Sequence, residues 1–189
     1  FILFHSEHSM SKPQIGVIVG SNSKTSINKQ LALALVKLVS DKADFELIDI
    51  GQLPLYNRDF DTDSPKEYVD FRAKVASKDG ILFVTPEHNR SIPAPLKNAL
   101  DVGSRPYGHA VWGGIPVGLI GTSGGGAATS MAQQHLRNVL AFLNTQTMAQ
   151  PEGFIQWKDG LLNANGEVGE GSHKFLTGWM EQFLAWVNK

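Results

Sequence analysis

At 189 residues, 42% hydrophobic and 19% charged, the chain can bury one substantial core and has the composition of a globular protein, which excludes fibrous and disordered classes. A net charge of −1, with acids and bases interspersed, provides no electrostatic footprint for nucleic acid or an anionic membrane. The absence of cysteine removes disulfides, thiolate nucleophiles, Cys-based zinc sites and iron–sulfur clusters, so any redox chemistry needs a bound cofactor.

The opening FILFHSEHSM matches no targeting pattern: its apolar run is four residues long, without a preceding basic residue or a following small-residue cleavage site. Residues 1–12 read as a leader, disordered or appended, with Met10 as the natural start and residues 13–189 as one domain. His5 and His8 then form a chance H-x-x-H, and no metal site is expected. Apolar runs such as 31–36 and 81–84 fall far short of a membrane span, and a cytoplasmic location is expected.

From Gln14 onward, short apolar runs alternate with amphipathic stretches. Ile15–Gly20 (IGVIVG) is β-branched and nearly all apolar, as a strand buried on both faces should be. Residues 26–40 place Leu31, Leu35 and Leu38 at helical spacing. Residues 45–50 alternate like a more exposed strand, and 65–77 read as a helix with Pro near its first turn. Residues 80–85 (GILFVT) form a second buried strand, broken by Pro86, and 94–101 a short helix. Residues 115–120 (IPVGLI) form a third, stopped by Gly121, and 127–143 a long amphipathic helix. Residues 145–150 are a weak strand, 160–171 a mobile surface loop, and 172–188 a closing helix rich in Phe and Trp.

Five strands alternating with five helices predict an α/β three-layer sandwich around a parallel sheet, in the order 2-1-3-4-5. In such a sheet ligands bind beyond the carboxyl ends of the strands, where the strand order reverses. Three unusual loops leave the three buried strands there.

The first loop, Gly20-Ser21-Asn22-Ser23-Lys24-Thr25-Ser26-Ile27-Asn28, offers a side-chain donor at every position from 21 to 26. No acid lies between Gly20 and Leu31, and Lys24 and Lys29 add positive charge. A helix N-terminus with this lining suits a monophosphate. Helix capping by Ser26 alone would explain one hydroxyl but not the run. The second loop, Pro86-Glu87-His88-Asn89-Arg90-Ser91-Ile92-Pro93-Ala94-Pro95, carries three prolines that stiffen it for presenting backbone N–H groups to a flat ring. A rigid connector would account for the same prolines, and a lone His88 is not by itself a catalytic signal. The third, Gly121-Thr122-Ser123-Gly124-Gly125-Gly126-Ala127-Ala128, precedes a helix whose N-terminus is expected to be free for negative charge.

With these loops in hand, the chain resembles the NADPH-dependent FMN reductase family of the flavodoxin-like superfamily. The resemblance rests on Gly20-Ser21…Ser26-Ile27-Asn28-Lys29, on Pro86-Glu87-His88-Asn89…Ile92-Pro93…Leu96-Lys97-Asn98-Ala99, and on Gly121-Thr122-Ser123-Gly124-Gly125. Lesser echoes are Leu53-Pro54-Leu55-Tyr56-Asn57 and Ser104-Arg105-Pro106. It implies FMN as cofactor and NADPH or NADH as co-substrate. Electrons would pass in ping-pong order to quinones or other small oxidants such as chromate, azo compounds or free flavin. Ser21, Ser23, Ser26 and Asn28 match positions at the FMN phosphate, and Pro86, Glu87, His88 and Asn89 the loop against the ring. Ser123 and Gly124 match the second ring loop. The family usually has Arg at Ser23 and Tyr at His88. It also implies a homodimer or homotetramer, in keeping with four Trp and ten Phe in the chain.

Two alternatives remain. Gly121-Thr122-Ser123-Gly124-Gly125 satisfies the G-x-S-x-G of a hydrolase nucleophile elbow, with Asp159 and His173 following in hydrolase order. A non-enzymatic flavodoxin carrier is the other, though carriers are strongly acidic to steer basic partners.

Overall fold

The structure is a computed structural model that describes residues 11–189. The leader reading for residues 1–10 and the His5–His8 pair lie outside the described residues. The sheet runs β2 (Asp44–Leu47), β1 (Gln14–Val19), β3 (Gly80–Val84), β4 (Pro116–Ser123), all parallel. Two short parallel strands then share the outer edge of β4: β5 (Gln146–Thr147) beside Pro116 and Val117, and β6 (Gly153–Gln156) beside Ile120–Ser123.

Side chains alternate along each buried strand and build two cores. Leu82 and Val84 face α1 (Ile27–Leu38) and α5 (Glu170–Val187), where Leu31, Leu35, Trp179 and Phe183 are buried. Ile81 and Phe83 face α2 (Lys66–Ala76), α3 (Ala94–Gly103) and α4 (Ser130–Phe142), packing with Phe71, Leu100, Trp112 and Leu136. This is the three-layer arrangement read from the apolar periodicity. Among the described residues, no helix is long and apolar enough to cross a membrane.

Three expectations need correction. Strand β4 does not stop at Gly121, because β6 supplies a partner as far as Ser123. Gly121 instead permits a close approach of two strands, since a Cβ there would sit 2.1 Å from the Thr85 carbonyl oxygen. The fifth strand is split because the chain leaves the sheet between Thr147 and Gly153, passing through Pro151, which has no N–H for a ladder. Arg137 on α4 pins this detour by donating to the Met148 carbonyl at 3.0 Å. Residues 160–171 are not a loose surface loop. Leu161 and Val168 are buried, Leu162 bridges Val168, and Asn163 Oδ1 accepts from the N–H groups of Asn165 and Glu167.

Strand register sets up the site. Val19 lies opposite Val84, and Val84 opposite Ile120, so β1, β3 and β4 are in step near their carboxyl ends. The loops that follow leave the sheet side by side at the reversal of strand order.

Candidate functional site

The first loop ends at α1, where Ser26 is the N-cap and its Oγ accepts from the Lys29 N–H at 3.2 Å. This satisfies one of the four free donors of a helix start. The N–H groups of Ile27 and Asn28 have no backbone acceptor among the described residues. The first turn of α1 contains no acid. Ser21 is half-buried, and Ser23 is exposed, with its Oγ 3.3 Å from Thr25 Oγ1. Together these groups form a hydroxyl-lined, electropositive mouth.

Asn28 does something the motif reading missed. Its side chain is buried, with Nδ2 donating to the Thr122 carbonyl and Oδ1 accepting from the Thr122 N–H, both at 2.9 Å. The residue matched to the phosphate therefore ties the first loop to the third. No local sequence pattern could reveal Thr122 as its partner, 94 positions away.

The second loop is a tight hairpin. His88 and Ser91 exchange backbone hydrogen bonds at 3.0 and 2.9 Å around Asn89 (φ 50°) and Arg90 (φ 65°), the φ signature of a type I′ turn. Positive φ at Asn is common; at Arg it is a conformation the surroundings must hold. The His88 side chain is exposed, and Pro86 accepts from Thr85 Oγ1 at 2.8 Å. Glu87 turns inward. Its Oε2 accepts from the Met131 and Ala132 N–H groups, each at 3.1 Å, and its Oε1 accepts from Arg90 at 3.2 Å.

This contact corrects the expectation that the helix after the third loop offers a free N-terminus. The Glu87 carboxylate already occupies the start of α4. The helix itself begins at Ser130 rather than 127, because Ala128 adopts φ 49° and interrupts the helical run. In the third loop, a Cβ at Gly124 or Gly126 would meet nothing within 4 Å, and one at Gly125 only Ser123 Oγ at 3.9 Å. Neither packing nor a left-handed φ requires these glycines, and a Cβ on each would fill space that another molecule could enter.

Ser123 is not a nucleophile elbow. It lies in extended β4 opposite Gln156, its carbonyl accepts from Trp157 N–H, and its Oγ donates to the Ala128 carbonyl at 2.5 Å. An elbow requires a sharp strand-to-helix turn with the hydroxyl exposed at its tip.

Beside the first loop, Asn22 lines two clefts of about 220 and 230 Å³. Leu53 and Leu55 line the first, and Lys29 and Asp49 the second. Asn98 holds the 53–57 segment there, accepting from Tyr56 N–H at 2.7 Å and donating to the Pro54 carbonyl at 2.9 Å. Burial, with Asp61 beside the hydroxyl, pushes the Tyr56 phenol above its ordinary pKa.

Three adjacent loops thus combine one open anion-ready helix start, a stiff hairpin and a side-chain-free glycine run. The donor set fits FMN: hydroxyls and free N–H groups for one phosphate, and small or backbone groups for a flat ring. The family model for NADPH-dependent FMN reductases matches residues 13–157. The chain belongs to this family. It is 48% identical over 175 residues to a 2-hydroxy-1,4-benzoquinone reductase of a Burkholderia species, covering 92% of this chain and 96% of that one. A quinone reductase of Pseudomonas putida is 39% identical over 174 residues, covering 92% and 94% of the two chains. Among solved structures, the flavoenzyme NAD(P)H:(acceptor) oxidoreductase FerB of Paracoccus denitrificans superposes with a TM-score of 0.90 at 39% identity. That match covers 93% of this chain and 97% of that one.

Proposed function

We propose that this FMN reductase family member transfers electrons from NADPH or NADH to small quinones in a ping-pong cycle. The observation that carries the reading is the asymmetry of the two helix starts. The start of α1 is acid-free and keeps open N–H groups, whereas that of α4 is closed by a carboxylate. An anionic end therefore belongs at the first loop, near Ser21, Ser23 and Ser26, with Asn28 holding that loop in place. A neutral ring belongs between Pro86–Asn89 and Ser123–Gly124. When bound, FMN supplies the two-electron carrier between nicotinamide and acceptor. The chain's own residues bind and orient it, and the backbone N–H groups of the second and third loops favour negative charge that develops on the ring.

The quinone class is favoured by the names of the relatives above; chromate, azo compounds and free flavin are further acceptors to assay. The proposal includes self-association. Tyr107 and Phe142, each 90% exposed, line one groove of about 580 Å³ with Arg105.

The test is the visible spectrum of the pure protein, followed by identification of the flavin released on heating. FMN should be found, and NAD(P)H oxidation with a benzoquinone should give parallel double-reciprocal lines and be indifferent to chelators. A colourless protein that stays colourless after incubation with FMN would overturn the proposal. So would ester hydrolysis abolished by Ser123→Ala in a preparation lacking flavin-dependent NADPH oxidation.

A further inference from the structure

A glutamate is rarely buried unless its charge is matched. The Glu87 side chain is only 8% exposed, and every contact of its carboxylate crosses between segments or braces the hairpin. Oε2 takes the N–H groups of Met131 and Ala132, and Oε1 takes Arg90. Helix α4 provides nothing equivalent for itself: Thr129 makes no side-chain cap and the first turn has no acid. The orphan donors of this helix are therefore satisfied from a different loop.

The preceding stretch is held by two backbone turns, Ala128 N–H to the Gly125 carbonyl at 2.9 Å and Ser130 N–H to the Ala127 carbonyl at 3.1 Å, and not by packing of its glycines. Gly124 and Gly126 have no neighbour that a Cβ would touch, and Ser123 Oγ reaches only the Ala128 carbonyl. The Arg90 partner matters as well, because an arginine at φ 65° needs an external hold. One carboxylate thus reaches both the tip of the hairpin and the start of α4, beside the Ser91 Oγ–His135 Nδ1 bond at 3.0 Å that joins the same hairpin to α4 one turn further on.

We propose that Glu87 is a positioning residue that locks the 86–91 hairpin to the start of α4, so holding the two loops at a fixed spacing before any ligand arrives. The ligand side of this statement rests on the FMN reading, in which those two loops embrace the ring. Glu87 acts through Met131, Ala132 and Arg90 and needs no contact with the flavin. Preorganised loops bind more tightly because less ordering accompanies association.

The experiment compares wild type, Glu87→Ala and Glu87→Gln as full chains. Gln is the informative conservative change: its carbonyl oxygen can still accept both α4 N–H groups, while its NH2 replaces the oxygen that accepts from Arg90, so the α4 half of the clamp is kept and the Arg90 half is lost. Hydrogen exchange on the flavin-free chains should show residues 86–91 and 124–132 losing protection together in Glu87→Ala, with β1 unchanged. Fluorescence titration should show affinity for FMN and for riboflavin falling by the same factor, about tenfold or more, because the defect lies at the ring end. Glu87→Gln should recover protection at 124–132 to near the wild-type level while 86–91 stays less protected, with flavin affinity between those of wild type and Glu87→Ala.

Loss of protection in only one of the two loops in Glu87→Ala would overturn the proposal, as would unchanged flavin affinity in that variant. A Gln variant that leaves 124–132 as unprotected as the Ala variant would show that the bonds to α4 are not what holds that loop, and that too overturns it. Failure of wild type to bind either flavin would instead defeat the cofactor reading, while the exchange comparison still decides the clamp.

Discussion

Ser26 and Asn28 sit two positions apart and bond in different directions, one to the start of α1 and one to Thr122 of β4. Ser26→Ala removes a helix cap, costing about 0.5–2 kcal/mol of stability. Under the proposed reading it also removes a hydroxyl from the phosphate mouth. FMN affinity should fall about tenfold, the loss of one hydrogen bond to a charged group. Riboflavin, lacking the phosphate, should bind Ser26→Ala and wild type alike; equal weakening of both flavins would place the phosphate elsewhere. Asn28→Ala is expected to be the more damaging for stability. It leaves the Thr122 N–H and carbonyl without the two partners now at 2.9 Å, in a buried position, at a cost of about 2–4 kcal/mol. Asn28→Asp should not rescue it, because the donor is replaced by a carboxylate oxygen facing the Thr122 carbonyl. Urea denaturation of the three proteins measures this, and an Asp variant as stable as wild type would refute the account.

Among the secondary elements, β3 and β4 must approach closely where their loops depart. Gly121 makes that approach possible, because any Cβ would collide with the Thr85 backbone rather than with a movable side chain. Gly121→Ala should therefore destabilise the fold by about 1–3 kcal/mol or more, the range for overpacking a tight interior. It should also separate Thr122 from Asn28, so that flavin binding weakens with stability. Gly124→Ala faces open space, and its stability should stay within about 0.5 kcal/mol of wild type, as for an ordinary surface change. Its flavin affinity should drop if the ring approaches that position. Thermal melts with and without FMN separate the two cases. The carboxyl edge of the sheet was legible as three loops after three apolar runs, since period-two burial and glycine-rich departures are local signals. The split outer strand was not legible, because Gly153–Gln156 is only four residues long and forms on an edge that β4 presents.

For the whole molecule, a ligand that binds only the folded chain stabilises it by about 2.7 kcal/mol at a hundredfold excess over Kd. In a domain of this size that corresponds to a Tm shift of roughly 5–10 °C. Removing flavin should lower Tm by about that much, and adding FMN back should restore it; a Tm indifferent to FMN would contradict the cofactor reading. Self-association is read by sedimentation. If the groove carrying Tyr107 and Phe142 is the contact between copies, the double change to Ser should shift the protein to monomers without altering its circular dichroism. An unchanged assembly would place the contact on another face.

The sequence by itself determined the layered architecture, the strand order, the family and the stretches that form the site, because each is written in local periodicity, in turn chemistry or in a contiguous motif. Ser26 at the mouth of α1 and the turn residues Asn89 and Arg90 in the loop after β3 belong to this class. Tertiary structure alone decided what the polar side chains in those stretches do. Asn28 bonds to Thr122, Glu87 closes the start of α4 from another loop, and Ser123 is held in an extended strand by Gln156 rather than in an elbow. The physical reason is range. A hydrogen-bonding group has several partners of equal chemical merit, and only the packing of distant segments selects one. Apolar periodicity needs no particular partner to declare which side faces inward.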